Sequence, residues 1–142
     1  MLKITFCMRR LPHLTREEFQ NYYRKVHTRV LDPEGVAALG MKRYVQLHAY
    51  PEEECAELDM GRGCEPSFDA VAEIWLEDHD AFERNWKGPA GMEALKKLLE
   101  DERNFVDWSR SVIFMSKELV LMDGPSTPAR SPRKSQVSPP PT

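Results

Sequence analysis

Residues 2–19 read Leu2-Lys3-Ile4-Thr5-Phe6-Cys7-Met8-Arg9-Arg10-Leu11-Pro12-His13-Leu14-Thr15-Arg16-Glu17-Glu18-Phe19, and they encode a strand, a turn and a helix start in that order. From Leu2 to Arg9 the chain alternates. Leu2, Ile4, Phe6 and Met8 fall on one face; Lys3, Thr5, Cys7 and Arg9 fall on the other. A period of two marks a half-buried strand. Leu11-Pro12-His13 supplies the turn. Thr15 then stands as the helix N-cap, and Glu18, three residues on, completes a capping box. Leu14 and Phe19 occupy the two positions of a hydrophobic staple. The helix presents Phe19, Tyr22, Tyr23, Val26 and Val30 at helical spacing, with His27 at the edge of that stripe. Pro33 and Gly35 interrupt it, and a short extra turn runs through Val36 to Leu39.

Working outward, Met41 to Tyr50 alternates again. Arg43, Val45, Leu47 and Ala49 face one way; Lys42, Tyr44, Gln46, His48 and Tyr50 face the other. Residues 51–67 are polar, rich in Pro and Gly, and read as a surface loop. Phe68 to Leu76 is a third strand with Ala70, Ala72, Ile74 and Leu76 on an apolar face and Asp69, Val71, Glu73 and Trp75 on a mixed one. A helical region follows. It breaks at Gly88-Pro89, resumes through Leu95, Leu98 and Leu99, and ends near Asp107. Trp108 to Leu121 carries the last strand. The order is βαββαβ, an α+β class with an antiparallel four-stranded sheet of the ferredoxin-like kind. Residues 1–122 form this domain. Residues 123–142 hold more than half of the eleven prolines and almost no apolar side chains, so they are expected to stay disordered.

The composition narrows the function. The net charge is −3, and Arg130, Arg133 and Lys134 lie in the tail, which leaves the body acidic. An acidic body lacks the clustered basic face that phosphate backbones require, so nucleic acid is not an expected partner. No window is long and apolar enough to span a bilayer, and the N-terminus lacks the regions of a signal peptide. A cytoplasmic protein without a membrane association is expected. The three cysteines lack CxxC spacing and suggest neither a zinc site nor a disulfide framework. No phosphate-cradling glycine loop, G-x-S-x-G or H-E-x-x-H occurs. No metal and no cofactor is expected. A sheet with helices on one side leaves its other face bare, and here both faces of every strand carry bulky groups. Such a face usually finds a partner, which makes a homodimer the expectation.

What remains for chemistry is a polar set on otherwise apolar elements. His27 borders the helix stripe, His48, Gln46 and Tyr44 share one strand face, and Asp69 and Glu73 share another. If these faces look at one helix layer, the groups converge, and buried imidazoles and carboxylates there would serve as general acid and base. Each also has a structural reading. His27 can bond a backbone carbonyl, His48 can lie on the surface, Glu73 can pair with Arg43 or Lys42 across the sheet, and Asp69 can cap the strand entry. Asp101 and Glu102 read as a solvated helix end, and Tyr22-Tyr23 as core packing.

The residues together resemble the EthD domain family. Leu14-Thr15-Arg16-Glu17-Glu18-Phe19 with Tyr22-Tyr23 and Val26-His27 is similar to its first helix. Arg43-Tyr44-Val45-Gln46 with His48 is similar to its second strand. Phe68 to Trp75 is similar to its third strand, and Asp101-Glu102 with Phe105-Val106-Asp107 to the segment before its last. The resemblance implies a dimeric α/β-barrel in which two protomers pack sheet to sheet. More narrowly, the chain resembles small EthD proteins of fungal aromatic polyketide pathways, which are associated with decarboxylating anthrone- or anthraquinone-type acids such as atrochrysone carboxylic acid. This implies a cofactor-free lyase acting on a small aromatic polyketide. His27 or His48 would donate the proton, and Asp69 or Glu73 would orient the imidazole. Tyr44 and Gln46 would hold the phenol or keto oxygen, and Tyr23 and Trp75 would complete the substrate-binding set. A dehydratase or aldol-type cyclase using the same groups, and a non-catalytic ligand-binding barrel, are the alternatives.

Overall fold

A computed structural model describes residues 1–125; the expected disorder of the tail falls almost wholly outside them. Four strands, β1 (Leu2–Met8), β2 (Arg43–His48), β3 (Ala70–Leu76) and β4 (Val112–Lys117), form one sheet in the order β2-β3-β1-β4. All three pairings are antiparallel. The helices α1 (Arg16–Lys25), α2 (Pro33–Ala38), α3 (Glu52–Ala56), α4 (His79–Trp86) and α5 (Pro89–Glu102) make up the helical part. This is the α+β, ferredoxin-like arrangement that the element order implies.

Local chemistry places α1 as its sequence dictates. Thr15 Oγ1 accepts the Glu18 N–H at 3.0 Å while the Glu18 carboxylate accepts the Thr15 N–H at 2.9 Å. Leu14 packs with Phe19 in the same cluster. Other boundaries differ from the pattern. The loop after β2 contains α3, opened by Pro51. β4 starts only at Val112, because Trp108–Arg110 winds into a 3₁₀ turn after Asp107. The chain between α4 and α5 turns sharply, and a Cβ at Gly91 would overlap the carbonyl oxygen of Asn85, so only glycine permits that approach.

The core is divided. One cluster gathers Met8, Phe19, Tyr23, Ala70, Phe105 and Val106 beneath α1. The other joins Leu2, Ile4 and Leu76 to Phe82 and Trp86 of α4. Between them the helices do not close onto the sheet.

Register decides which strand faces look at the helices. Tyr44 lies opposite Ile74 and Gln46 opposite Ala72, so Tyr44, Gln46 and His48 share the face of the buried Ala70, Ala72 and Leu76. Glu73 lies opposite Val45 and Thr5 and therefore points to the open face. Trp75, flanked by Arg43 and Lys3, points the same way.

Candidate active site

The gap between the two core clusters is a cavity of about 580 Å³. Its floor is Ile4, Phe6 and Met8 of β1 with Ala72 and Ile74 of β3, and Leu95, Leu98 and Leu99 of α5 form its roof. Apolar carbon makes up most of the wall, and the polar groups that reach it are few: Tyr23, His27, Tyr44, Glu102, Arg103 and Ser111 among them.

His27 sits just past the end of α1 and is buried. Its Nδ1 lies 2.7 Å from Asp101 Oδ2. Tyr22 donates its hydroxyl to Asp101 Oδ1 at 2.7 Å, and the Asn104 amide donates to the Tyr22 hydroxyl at 3.1 Å. Asp101 is thus held from several sides and fixes the ring. With Nδ1–H given to the carboxylate, Nε2 carries the lone pair. Burial lowers the His27 pKa, and the hydrogen bond and charge of Asp101 oppose that. A neutral, oriented imidazole of this kind has the lone pair that a general base needs.

Glu102 is the second titratable group. Burial pushes its carboxyl up to about 6, the charge of Asp101 adds to the rise, and the hydrogen bond from Trp108 opposes it. Trp108 Nε1 donates to Glu102 Oε1 at 2.9 Å. A base and an acid kept apart by their surroundings in one cavity are the elements of acid–base chemistry. Burial raises the phenols of Tyr23 and Tyr44. Both therefore stay protonated and act as hydrogen-bond donors.

The structure brings three of the expected residues, Tyr23, His27 and Tyr44, to the cavity wall. Gln46 and His48 lie behind Tyr44 as a second row, outside the wall. Gln46 Nε2 donates to the Tyr44 hydroxyl at 3.1 Å, and His48 Nε2 meets Gln46 Oε1 at 2.8 Å. Glu73, Trp75 and Asp69 do not converge there, which corrects the expected constellation. Glu73 pairs with Lys3 at 2.9 Å on the open face, and Trp75 Nε1 donates to Glu118 at 2.7 Å on that face. Asp69 is buried at the entry to β3, where it accepts the Arg10 N–H at 2.8 Å and Arg16 Nε at 2.9 Å and ion-pairs with the Arg10 guanidinium. It ties β3 to α1 rather than facing a ligand.

Asp101 and Glu102 are the residues that sequence reasoning set aside as solvated. The signal for Glu102 was present: with Leu95, Leu98 and Leu99 it recurs at i, i+3, i+4 and i+7, so it lies on the apolar stripe of α5. Nothing local marks Asp101, whose partners lie on α1 and just after it. Among the described residues, no group of His, Cys, Asp and Glu is placed to hold a metal ion, and no helix is long and apolar enough to cross a membrane.

A four-stranded antiparallel sheet with helices over an apolar, acid–base-lined cavity defines an α+β domain of the ferredoxin-like class. The EthD domain model matches residues 11–109, and the chain belongs to that family. Solved structures share the fold. An EthD family protein from Bacillus halodurans superposes with a TM-score of 0.53 at 16% identity, covering 84% of this chain and 99% of that one. A protein of Arabidopsis thaliana gives 0.52 at 15%, covering 86% and 99%. HapK from Hahella chejuensis gives 0.50 at 12%, covering 89% and 100%. A search of curated protein sequences finds no relative.

Proposed function

We propose that this protein is a cofactor-free lyase that decarboxylates a polyketide-derived aromatic carboxylic acid, of the anthrone or anthraquinone type, in secondary-metabolite biosynthesis. The observation that carries the reading is the pairing of the His27–Asp101 dyad with the high-pKa Glu102 in one apolar cavity. The volume and the aliphatic walls suit a fused-ring ligand. His27 Nε2 takes the proton of the phenol beside the carboxylate while Glu102 protonates the ring carbon that bears it. The result is a β-keto carboxylate. Its C–C bond breaks, carbon dioxide leaves, and the electron pair flows to the ketone oxygen, which becomes a phenolate next to the Tyr23 hydroxyl. His27 returns its proton to that oxygen, and Glu102 is reprotonated from water. Asp101 stabilises the transient imidazolium. Removal of water from the carboxylate favours its loss.

The same acid and base suit dehydration or aldol cyclisation of a related polyketide, and the mass of the product separates these from decarboxylation. A non-catalytic binding barrel has no use for a buried dyad beside a raised carboxyl. The test is incubation with a hydroxylated anthraquinone carboxylic acid, read by mass spectrometry. Loss of carbon dioxide is expected, with turnover falling in His27→Ala and in Glu102→Gln. Full turnover in both variants overturns the roles assigned.

The functional unit is proposed to be a homodimer. Leu47, Val71, Cys7 and Val112, with Val45 and Phe114, form an apolar end on the open face of the sheet, and Leu47, Val112 and Phe114 are exposed in the protomer. A second copy of the chain would cover this area.

A further inference from the structure

Behind the cavity wall runs a row of hydrogen bonds that share one direction. Tyr44 donates its hydroxyl to the Tyr23 hydroxyl at 2.7 Å. Gln46 Nε2 donates to the Tyr44 hydroxyl at 3.1 Å and lies 3.4 Å from the backbone carbonyl of Tyr23. His48 Nε2 is 2.8 Å from Gln46 Oε1. An amide oxygen only accepts, so His48 must carry its proton on Nε2. The Tyr23 carbonyl likewise requires the nitrogen of the Gln46 amide on its side. His48 Nδ1 is buried and without a partner, which suits a bare lone pair better than an N–H. Burial, reinforced by the charge of Arg24, lowers the His48 pKa and keeps the ring in this neutral form. With Tyr44 donating to Tyr23, each hydrogen in the row points toward the cavity. Tyr23 receives one from Tyr44, and its own hydroxyl proton has no acceptor among the described residues.

We infer that His48 is a positioning residue which, through Gln46 and Tyr44, fixes the Tyr23 hydroxyl as an obligate hydrogen-bond donor to the bound ligand, so that the site selects a ligand with a carbonyl or oxyanion at that point. The inference rests on the reading of the cavity as a ligand site. His48 acts through the row and does not touch the ligand. The row also has a second possible polarity. A group that only accepts at position 46 would draw the Tyr44 hydroxyl proton to itself, Tyr44 would accept from Tyr23, and Tyr23 would present a lone pair to the cavity.

The test uses three tricyclic probes of one shape: fluorene, with no polar group; fluorenone, with an acceptor; and 9-hydroxyfluorene, with a donor. Affinities are read from quenching of Trp86 and Trp108, which line the cavity. The carbonyl of bound fluorenone is read by isotope-edited infrared spectroscopy. The wild-type protein is expected to bind fluorenone roughly two- to tenfold tighter than fluorene, with the carbonyl stretch moved to lower frequency. Tyr23→Phe abolishes both effects. Gln46→Glu abolishes the frequency shift and inverts the preference toward 9-hydroxyfluorene, while fluorene binds as before. His48→Leu weakens the shift, and His48→Gln, which retains an N–H at the ε position, restores it. If Gln46→Glu does not fold, the two His48 variants carry the same comparison, since His48 lies outside the wall. Fluorenone that binds with a frequency indifferent to Gln46→Glu and His48→Leu overturns the inference and leaves the ligand cavity standing. A protein that binds neither fluorene nor fluorenone overturns the cavity reading and the inference with it.

Discussion

Replacement of Glu102 by Gln should stabilise the protein, and only at neutral and alkaline pH. Burial raises the Glu102 carboxyl from 4.5 to about 6, which disfavours its charged form in the folded state by about 2 kcal/mol. The sign follows from proton linkage. At about pH 4 and below, Glu102 is protonated both folded and unfolded and exacts no penalty. As pH rises, the unfolded chain releases this proton first, and the folded state loses stability through the interval from 4.5 to about 6. Above that interval the whole penalty is present. Gln removes the charge yet retains a carbonyl oxygen for Trp108 Nε1, which sits 2.9 Å away, so little is lost. The variant should match the wild type at about pH 4 and exceed it by up to about 2 kcal/mol at about pH 7.5. With a urea dependence of about 1–3 kcal/mol per molar, the midpoint moves up by roughly 1 M. Urea titrations of both proteins across this range give the difference directly, since every other titrating group is common to them. A difference that does not vary with pH, or a variant less stable at neutral pH, would refute a buried carboxyl with a raised pKa and remove the proposed acid.

His27→Ala should lower decarboxylation about 10²–10⁴-fold while far-ultraviolet circular dichroism stays unchanged; a loss below tenfold would show that the dyad is not the base. The rate should fall as pH rises through about 6, where Glu102 gives up its proton, and fall again on the acid side as His27, its pKa lowered by burial, takes one up; a rate that climbs steadily into alkali excludes the pair. Asp69→Ala should cost about 3–5 kcal/mol, because Arg10 and the mostly buried Arg16 lose the carboxylate they share, and a thermal melt within a few degrees of wild type would mean that the cluster does not hold β3 to α1. Phe114→Lys together with Leu47→Lys places charge on the open face of the sheet and should yield monomers in light scattering, whereas an unchanged mass would locate the dimer contact elsewhere.

The fold was legible because its deciding signals are local. The alternation of β1, the Thr15–Glu18 box and the period of α1 each depend on residues a few places apart, and the backbone obeys them. The site was only half legible, because it depends on register. In β2 the bulkier aliphatic residues, Val45 and Leu47, face away from the helices, and Tyr44, Gln46 and His48 face toward them. An apolar-inward rule applied to this edge strand alone points it the wrong way, and alternation cannot say which set faces in. In β3 the same rule works, since Ala70, Ala72, Ile74 and Leu76 are the inward set. The inconsistency lay in combining faces. Residues opposed across an antiparallel pair project to one side, so the opposition of Tyr44 to Ile74 excludes Glu73 and Trp75 from any pocket that contains Tyr44. Two strands of known pairing would have settled this; one strand could not.

Ala72 also bears on why there is a cavity at all. At its level β1 presents Phe6 and β2 presents Gln46 to the helices, whereas β3 presents a single methyl group. An open space of about 580 Å³ forgoes the contacts that close packing would supply. A fold selected for stability alone would fill it with larger side chains from β3. Instead, three of the polar groups that reach the space are paired: His27 by Asp101, Glu102 by Trp108, Tyr44 by Gln46. Burial without such partners would cost each of them free energy. The partners come from α5, the turn after it and β2, and they hold the groups in fixed protonation states around an apolar space. Under the proposed function the void and the paired polar groups belong to one arrangement: Ala72 on β3 makes room for a ligand, and the surrounding elements pre-set the acid, base and donor that would act on it.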